Sequence, residues 1–293
     1  MFTQIASFIY RFLLSLAHLY TVPEYIGFAV MFIVVVVIST RQGRELSRFF
    51  RRPFLTDLIY TFWLPVYTVL IGIPITLATA EFMAAHFSFL RLHLLSNAPK
   101  PVLMTVWMIV NDFLLYWSHR LSHRVPWLWA LHKIHHAPAE LNSLTTWRHH
   151  WAELIYANSF ALVTTLLVGN PTGLHPMLLG LLAASSLASH SDLDWTYGPL
   201  GRLIVSPREH ARHHSAASED LKVNFGSFLI FWDDLFGTAR RTPERVAVYG
   251  LTPIDDDVPQ SFFLQLFYPL SLLFMKQRTR VTSETIGALE TDG

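Results

Sequence analysis

The sequence predicts an all-α membrane protein with about four to five transmembrane helices and a cytoplasmic helical cap that carries many of its histidines. Hydrophobic residues make up 52% of the 293 residues and charged residues only 15%, against roughly 25% charged in a typical soluble domain. The hydrophobic residues fall in several long runs. Eleven of the 15 histidines lie outside those runs, on the side that the arginines assign to the cytoplasm.

Charge and cysteine content exclude several classes of protein. The formal net charge is +1, so no overall field attracts nucleic acid and no nucleic-acid partner is expected. The chain has no cysteine, which excludes disulfides, thiolate metal sites and cysteine-ligated iron–sulfur clusters. Any metal site must therefore use imidazole and oxygen ligands.

The first region, residues 1–100, reads as an N-terminal membrane region with spans at about 25–40 and 58–79. Residues 5–20 are apolar but lack the features of a removable signal peptide, so they either lie on the membrane or cross it poorly. The loop after the first span is rich in arginine, which predicts that this loop lies in the cytoplasm. In the second span, Pro65 and Pro74 predict kinks.

The second region, 101–240, begins with a span at 102–118 that returns the chain to the cytoplasm. Apolar runs at 154–168 and 174–189 predict a hairpin, and both are short enough for partial insertion. In the last region, 241–293, the run at 262–275 is interrupted by proline and predicts an interfacial helix before a disordered tail.

The cytoplasmic histidines recur at a helical spacing. Residues i, i+3 and i+4 share one helix face, and a Ser-Pro-Arg-Glu capping box at 206–209 predicts a helix start just before the last cluster. One such pair could be accidental, but three clusters on one membrane face indicate a metal site. The clusters are His119 and His123; His132, His135 and His136; and His210, His213 and His214.

Eight imidazoles exceed what one structural zinc site needs. Imidazole binds iron, copper, zinc and nickel alike, so the ligands alone do not select the metal. Two metals beside lipid would suit redox chemistry on an apolar substrate.

The motifs HRLSH (119–123), HKIHH (132–136) and EHARHH (209–214) resemble those of the fatty acid hydroxylase and sterol desaturase superfamily of membrane di-metal oxygenases. The flanks DFLLYWSHR (112–120), NFGSF (224–228) and WDDLFGT (232–238) extend the resemblance over roughly 100–240. It implies a catalytic region at 101–240 with two iron ions held by the eight clustered histidines. His190, at the cytoplasmic end of the hairpin, is the best candidate for a further ligand.

The resemblance also indicates residues around the ligands. In TTWRHHWAE, Arg148, His150 and Glu153 resemble a family pattern of arginine, histidine and acid. We expect His150 rather than His149 as a ligand or a ligand's partner, since adjacent helical residues point in different directions. Asp112 could accept a ring N–H from a ligand, although a polar contact between helices explains Asp112 equally well.

The implied activity is O2-dependent hydroxylation or desaturation of a lipid or sterol-like substrate. An ether-lipid (alkylglycerol-type) monooxygenase would use the same cluster, whereas a histidine-rich metal transporter would place ligands near mid-membrane. No electron-carrier motif is present, which implies a separate reductase, ferredoxin or cytochrome b5-like carrier. Without a retrieval signal, we expect a bacterial inner membrane, with the histidines on its cytoplasmic face.

Overall fold

The computed structural model describes residues 51–270, except 88, 90, 91, 170–174 and 254, together with residues 33, 36, 37 and 40. Within these residues the fold is helical, with two isolated β-bridges and no strand, so the predicted all-α class is confirmed there. The segment at 5–20, most of the span at 25–40 and the tail after 270 lie outside the described residues.

Nine α-helices occur in the described part. They are α1 (Arg52–Tyr67), α2 (Ile73–His86), α3 (Lys100–Ser122), α4 (Pro126–His136), α5 (Trp151–Val168), α6 (His175–Ser189), α7 (Pro207–His213), α8 (Phe231–Leu235) and α9 (Phe262–Leu266). A π-helical segment joins α1 to α2, and short 3-10 helices cover Ser143–Trp147 and Gly198–Arg202.

Helices α1 and α2 form one long helical segment, whose part from Arg52 to Met83 is apolar enough to cross a membrane. It is longer than the predicted span at 58–79. Pro65 lies inside α1, and the π-helical segment Thr68–Gly72 follows it. Proline removes a backbone donor and crowds the carbonyl four residues before it. For Pro74, in the first turn of α2, that carbonyl belongs to Leu70 inside the π-helical segment.

Helices α3 and α5 are the other two membrane-length helices of the described residues. At 1.5 Å per residue, the 23 residues of α3 extend about 35 Å, enough for a hydrocarbon core of about 30 Å. The two helices pack together through Leu103, Trp107 and Val168, and Trp107 Nε1 donates to Thr165 Oγ1 over 3.1 Å. Helix α6 has only 15 residues.

A second buried hydrophobic cluster consists of Tyr60, Ile134, Val258, Phe262 and Tyr268. This cluster joins α1 and α4 to the segment that contains α9. Within the described residues, the predicted helix at 262–275 is interrupted, because α9 ends at Leu266 and a turn covers 267–269. Residues 271–275 lie outside the described part. Its proposed position at the membrane surface stays a prediction.

Candidate metal centre

Nine buried or nearly buried histidines meet where α3, α4, α6 and α7 converge. They form two groups in which the ligand-type nitrogens lie within 4.8 Å of one another. The five-histidine group is His119, His123, His132, His136 and His213. The four-histidine group is His135, His190, His210 and His214.

Ring nitrogens in the five-histidine group face each other without a proton to share. His119 Nδ1 donates to the Phe225 carbonyl over 2.8 Å, and His132 Nδ1 donates to Glu153 Oε1 over 2.5 Å. A neutral imidazole carries one proton, so both Nε2 atoms are bare, and they lie 3.1 Å apart. A cation between the two lone pairs would satisfy both.

His213 shows the same pattern. Its Nδ1 donates to the Val223 carbonyl over 2.8 Å, and its buried Nε2 has no partner. Neither ring nitrogen of His123 has a hydrogen-bond partner. Buried polar atoms are normally paired, so these orphaned nitrogens fit a metal ion.

The four-histidine group is centred on His190. Its Nδ1 donates to the Ser186 carbonyl over 2.8 Å, which leaves Nε2 bare at 3.1 Å from His135 Nε2 and 2.9 Å from His210 Nε2. Two nitrogens bound at about 2.1 Å to one ion, at a right angle, lie about 3 Å apart. The spacing therefore fits ligands of a shared ion.

Burial sets the protonation state of these rings. It lowers the pKa of His213 and of His190 to about 3. Burial, followed by the neighbouring histidines, also holds the pKa of His135, His136 and His214 well below 6.5. The rings are therefore neutral at pH 7 and present lone pairs rather than mutually repelling charges.

Glu153 contacts the centre as predicted for a partner of a ligand, and His149 rather than His150 lies beside it. The His149 ring stacks on His135 with centroids 4.3 Å apart, and its Nδ1 lies 3.1 Å from Glu153 Oε2. His150 joins neither group, because it caps α5, with its Nδ1 accepting from Ala152 N and its Nε2 donating to the Leu266 carbonyl. The expected preference for His150 over His149 was wrong, because α5 begins at Trp151 and turns the His150 ring away.

Asp112 and Arg148 touch no histidine of the centre. Asp112 accepts hydrogen bonds from Phe228 N, Leu229 N and Trp232 Nε1 at 2.9–3.0 Å. It therefore ties α3 to the segment after α7, which corrects the expectation that it accepts a ring N–H.

Arg148 instead donates to Asp57 over 3.2 Å. The same carboxylate also accepts from Asn142 Nδ2 and Thr145 Oγ1. This buried network fixes α1 to the stretch before His149, so Arg148 acts on the centre only through the backbone.

The loop 223–228 was not recognised as part of the centre. Its carbonyls orient His119 and His213, and Asp233 fixes it by accepting from Phe225 N and Gly226 N at 2.8 Å and from Thr238 Oγ1 at 2.7 Å. A Cβ at position 226 would lie 2.7 Å from the Leu229 carbonyl oxygen, so the loop needs glycine there. The available signal was the pair of flanking motifs, which contain both the glycine and the acid.

A cavity of about 170 Å³ borders both histidine groups. Histidines of both groups form one wall, and Leu115 and Ala157, on the membrane-length helices α3 and α5, belong to another. The cavity thus connects the cluster of bare nitrogens with the apolar part of the fold.

Residues 104–238 match the fatty acid hydroxylase family. Ornithine lipid hydroxylase OlsE of Rhizobium tropici is 30% identical over 165 residues, which is 56% of this chain and 49% of that protein. Alkylglycerol monooxygenase of Homo sapiens is 31% identical over 149 residues, 50% of this chain and 33% of that protein. A cholesterol 25-hydroxylase-like protein of Danio rerio is 29% identical over 163 residues, 52% of this chain and 63% of that protein.

The chain thus covers half or less of the length of the first two relatives. No solved structure matches it. The matched residues contain all nine histidines of the two groups. The part of the chain that carries both histidine groups, residues 104–238, is therefore similar to the fatty acid hydroxylase family.

Proposed function

We propose that the protein is an integral-membrane di-iron oxidoreductase that uses O2 to hydroxylate or desaturate a lipid or sterol-like substrate. The observation that carries the proposal is the pair of histidine groups, with their bare buried nitrogens, beside a cavity between membrane-length helices. The family match and the relatives, which are named as lipid hydroxylases and monooxygenases, support it.

In this proposal the five-histidine group holds one iron ion and the four-histidine group holds the other. Neutral imidazoles suit iron, and burial keeps these rings neutral at pH 7. Two bound iron ions would supply the redox chemistry for activating O2. In hydroxylation, O2, two electrons and two protons give one alcohol oxygen and one water; in desaturation they give an alkene and two waters.

The chain's own residues orient the ligands and position the substrate. Glu153 and the carbonyls of Phe225 and Val223 each fix one ring by accepting its Nδ1 proton, as carboxylates and carbonyls around metal ligands commonly do. The cavity places a carbon next to the histidine groups. Residues 101–240 would be the catalytic region.

The surroundings of the centre belong to the same proposal. We assign the protein to a bacterial inner membrane, with the histidine groups on the cytoplasmic face, because the arginine-rich loop precedes the long helical segment. The electrons would come from a separate reductase, ferredoxin or cytochrome b5-like carrier. Residues 241–293 would supply an interfacial helix and a tail.

Replacing a ligand in either group tests the proposal. His135→Ala and His213→Ala should each reduce bound iron and abolish O2-dependent product, measured by metal analysis and by lipid profiling of cells that express each variant. His86→Ala is the matched control, because His86 is exposed on α2. Full activity in either ligand variant would overturn the assignment.

Ether cleavage is a second candidate, favoured by the similarity to alkylglycerol monooxygenase. Incubation with hexadecylglycerol separates the two, since cleavage releases a fatty aldehyde and glycerol, whereas hydroxylation of a chain carbon away from the ether leaves the ether bond intact. Metal flux into proteoliposomes without any oxidised lipid would instead indicate a transporter.

A further inference from the structure

We propose that the cavity beside the histidine groups binds the polar end of a lipid, and that Glu153 Oε2 accepts a hydrogen bond from a hydroxyl, amide or ammonium group of that lipid. This inference rests on the proposed function and specifies its substrate class. The oxidised carbon would then lie within a few bonds of the headgroup, and not in the middle of an acyl chain.

The two carboxylate oxygens of Glu153 have different neighbours. Oε1 accepts from His132, whereas Oε2, on a residue that is only 8% exposed, lies 3.1 Å from His149 Nδ1. A carboxylate oxygen has two lone pairs, so Oε2 can accept a second hydrogen bond. Because Glu153 lines the cavity, a buried acceptor is available to a bound molecule.

Two hydroxyl groups in the cavity wall have oxygens that can accept further hydrogen bonds. Ser122 Oγ donates to the Ser118 carbonyl and Ser189 Oγ donates to the Ser186 carbonyl, each over 3.0 Å. The proton of each hydroxyl is already donated to a carbonyl, and the oxygen can still accept a hydrogen bond. The wall residues with hydroxyls are Ser118, Ser122, Thr146, Ser186, Ser189 and Ser227.

The size of the cavity limits what it holds. A cavity of about 150 Å³ accommodates benzene, so this one, at about 170 Å³, holds roughly six to eight heavy atoms. That is a fragment of a lipid, and the rest of the molecule must extend towards the apolar side at Leu115 and Ala157. A hydrocarbon fragment offers no donor to the second lone pair of the buried Oε2, whereas a headgroup fragment with O–H or N–H groups does.

A matched pair of lipids tests this inference. The probes are hexadecylglycerol and its 2,3-di-O-methyl ether, which share a chain and differ in hydrogen-bond donors. Binding of each radiolabelled probe to the iron-loaded protein in nanodiscs is measured without O2, so that no turnover occurs. We expect the free hydroxyls to improve binding by at least about tenfold, the lower end for one hydrogen bond to a charged group.

Glu153→Gln assigns the effect to one atom. Glutamine keeps an oxygen for His132 and places an amide NH2 at the position of Oε2, so the preference should disappear or reverse. Because Glu153 orients a proposed ligand, binding is compared between samples of variant and unmodified protein with equal iron content. Glu219→Gln, at an exposed position, is the control. Ser122→Ala, which removes one acceptor and keeps the backbone, provides a second variant and should weaken the preference by a smaller factor.

Equal binding of the two probes by the unmodified protein would overturn the inference, as would an unchanged preference in Glu153→Gln. Product formation is measured separately with O2 and reductant. A protein that makes oxidised lipid but does not distinguish the probes would refute this inference alone. A protein that distinguishes them but makes no O2-dependent product from any lipid would refute the proposed function.

Discussion

The two histidine groups differ in how firmly the surrounding structure orients their rings. In the five-histidine group, His119, His132 and His213 each donate an Nδ1 proton to an acceptor outside the group. In the four-histidine group, His190 has such an acceptor, but the buried Nδ1 atoms of His135 and His210 have no partner. Hydrogen bonds of this kind fix the tautomer and raise metal affinity, so we expect the five-histidine group to bind its ion more tightly.

Removing Asp233, which fixes the loop that orients the five-histidine group, should have the largest effect on stability and on bound iron. In Asp233→Ala, the N–H groups of Phe225 and Gly226 lose their acceptor at a fully buried position. Lost hydrogen bonds to a buried charged group predict a loss of about 3 kcal/mol in the free energy of unfolding, together with less bound iron. Denaturant unfolding in detergent and metal analysis measure the two effects.

The neighbouring Asp234→Ala is the matched control. Asp234 pairs with Arg241 at the surface, and exposed ion pairs contribute about 1 kcal/mol or less. Equal destabilisation by the two substitutions would show that the loop 223–228 does not depend on Asp233.

Stepwise removal of metal tests the comparison directly. An iron chelator should remove the ion of the four-histidine group first, because losing an outer hydrogen-bond partner typically lowers metal affinity about tenfold to a hundredfold. Iron retained against chelator concentration should then show two phases. A single phase that removes both ions together would contradict the difference in orientation.

The smallest effect is expected at His150, which lies outside both groups. His150→Ala removes a cap from α5 and the contact with the Leu266 carbonyl. We expect a loss of about 1 kcal/mol in stability and unchanged bound iron, measured by thermal unfolding and metal analysis. A loss of iron equal to that of a ligand variant would place His150 in the centre after all.

Helical spacing identified eight of the nine histidines that the structure brings together, and the family resemblance added His190. Neither predicted how the nine divide into two groups. On α4, His132 and His136 belong to one group and His135 to the other; on α7, His213 is separated from His210 and His214 in the same way. Helical spacing shows which residues share a face, whereas the division depends on where the facing helices lie. That tertiary information is absent from any single motif.

The partners of the histidines were harder to predict. Glu153 was named as a candidate only because it resembles the acid of a family pattern. Asp112 and Arg148 are equally polar, but the structure pairs them with the segment 228–232 and with Asp57. An acid within an apolar helix, as at Asp112, indicates a buried partner without identifying it. The fold class, in contrast, followed from composition and apolar runs alone.

The contact between His213 and the Val223 carbonyl has a consequence for how this centre can change over evolutionary time. Every residue type brings a carbonyl, so the side chain at position 223 can be exchanged without removing the acceptor for the ring. Single substitutions at position 223 should therefore leave the acceptor in place, whereas an insertion or deletion nearby would move it away from the ring. Selection must preserve the path of the backbone at position 223, whereas the amino acid at that position can vary.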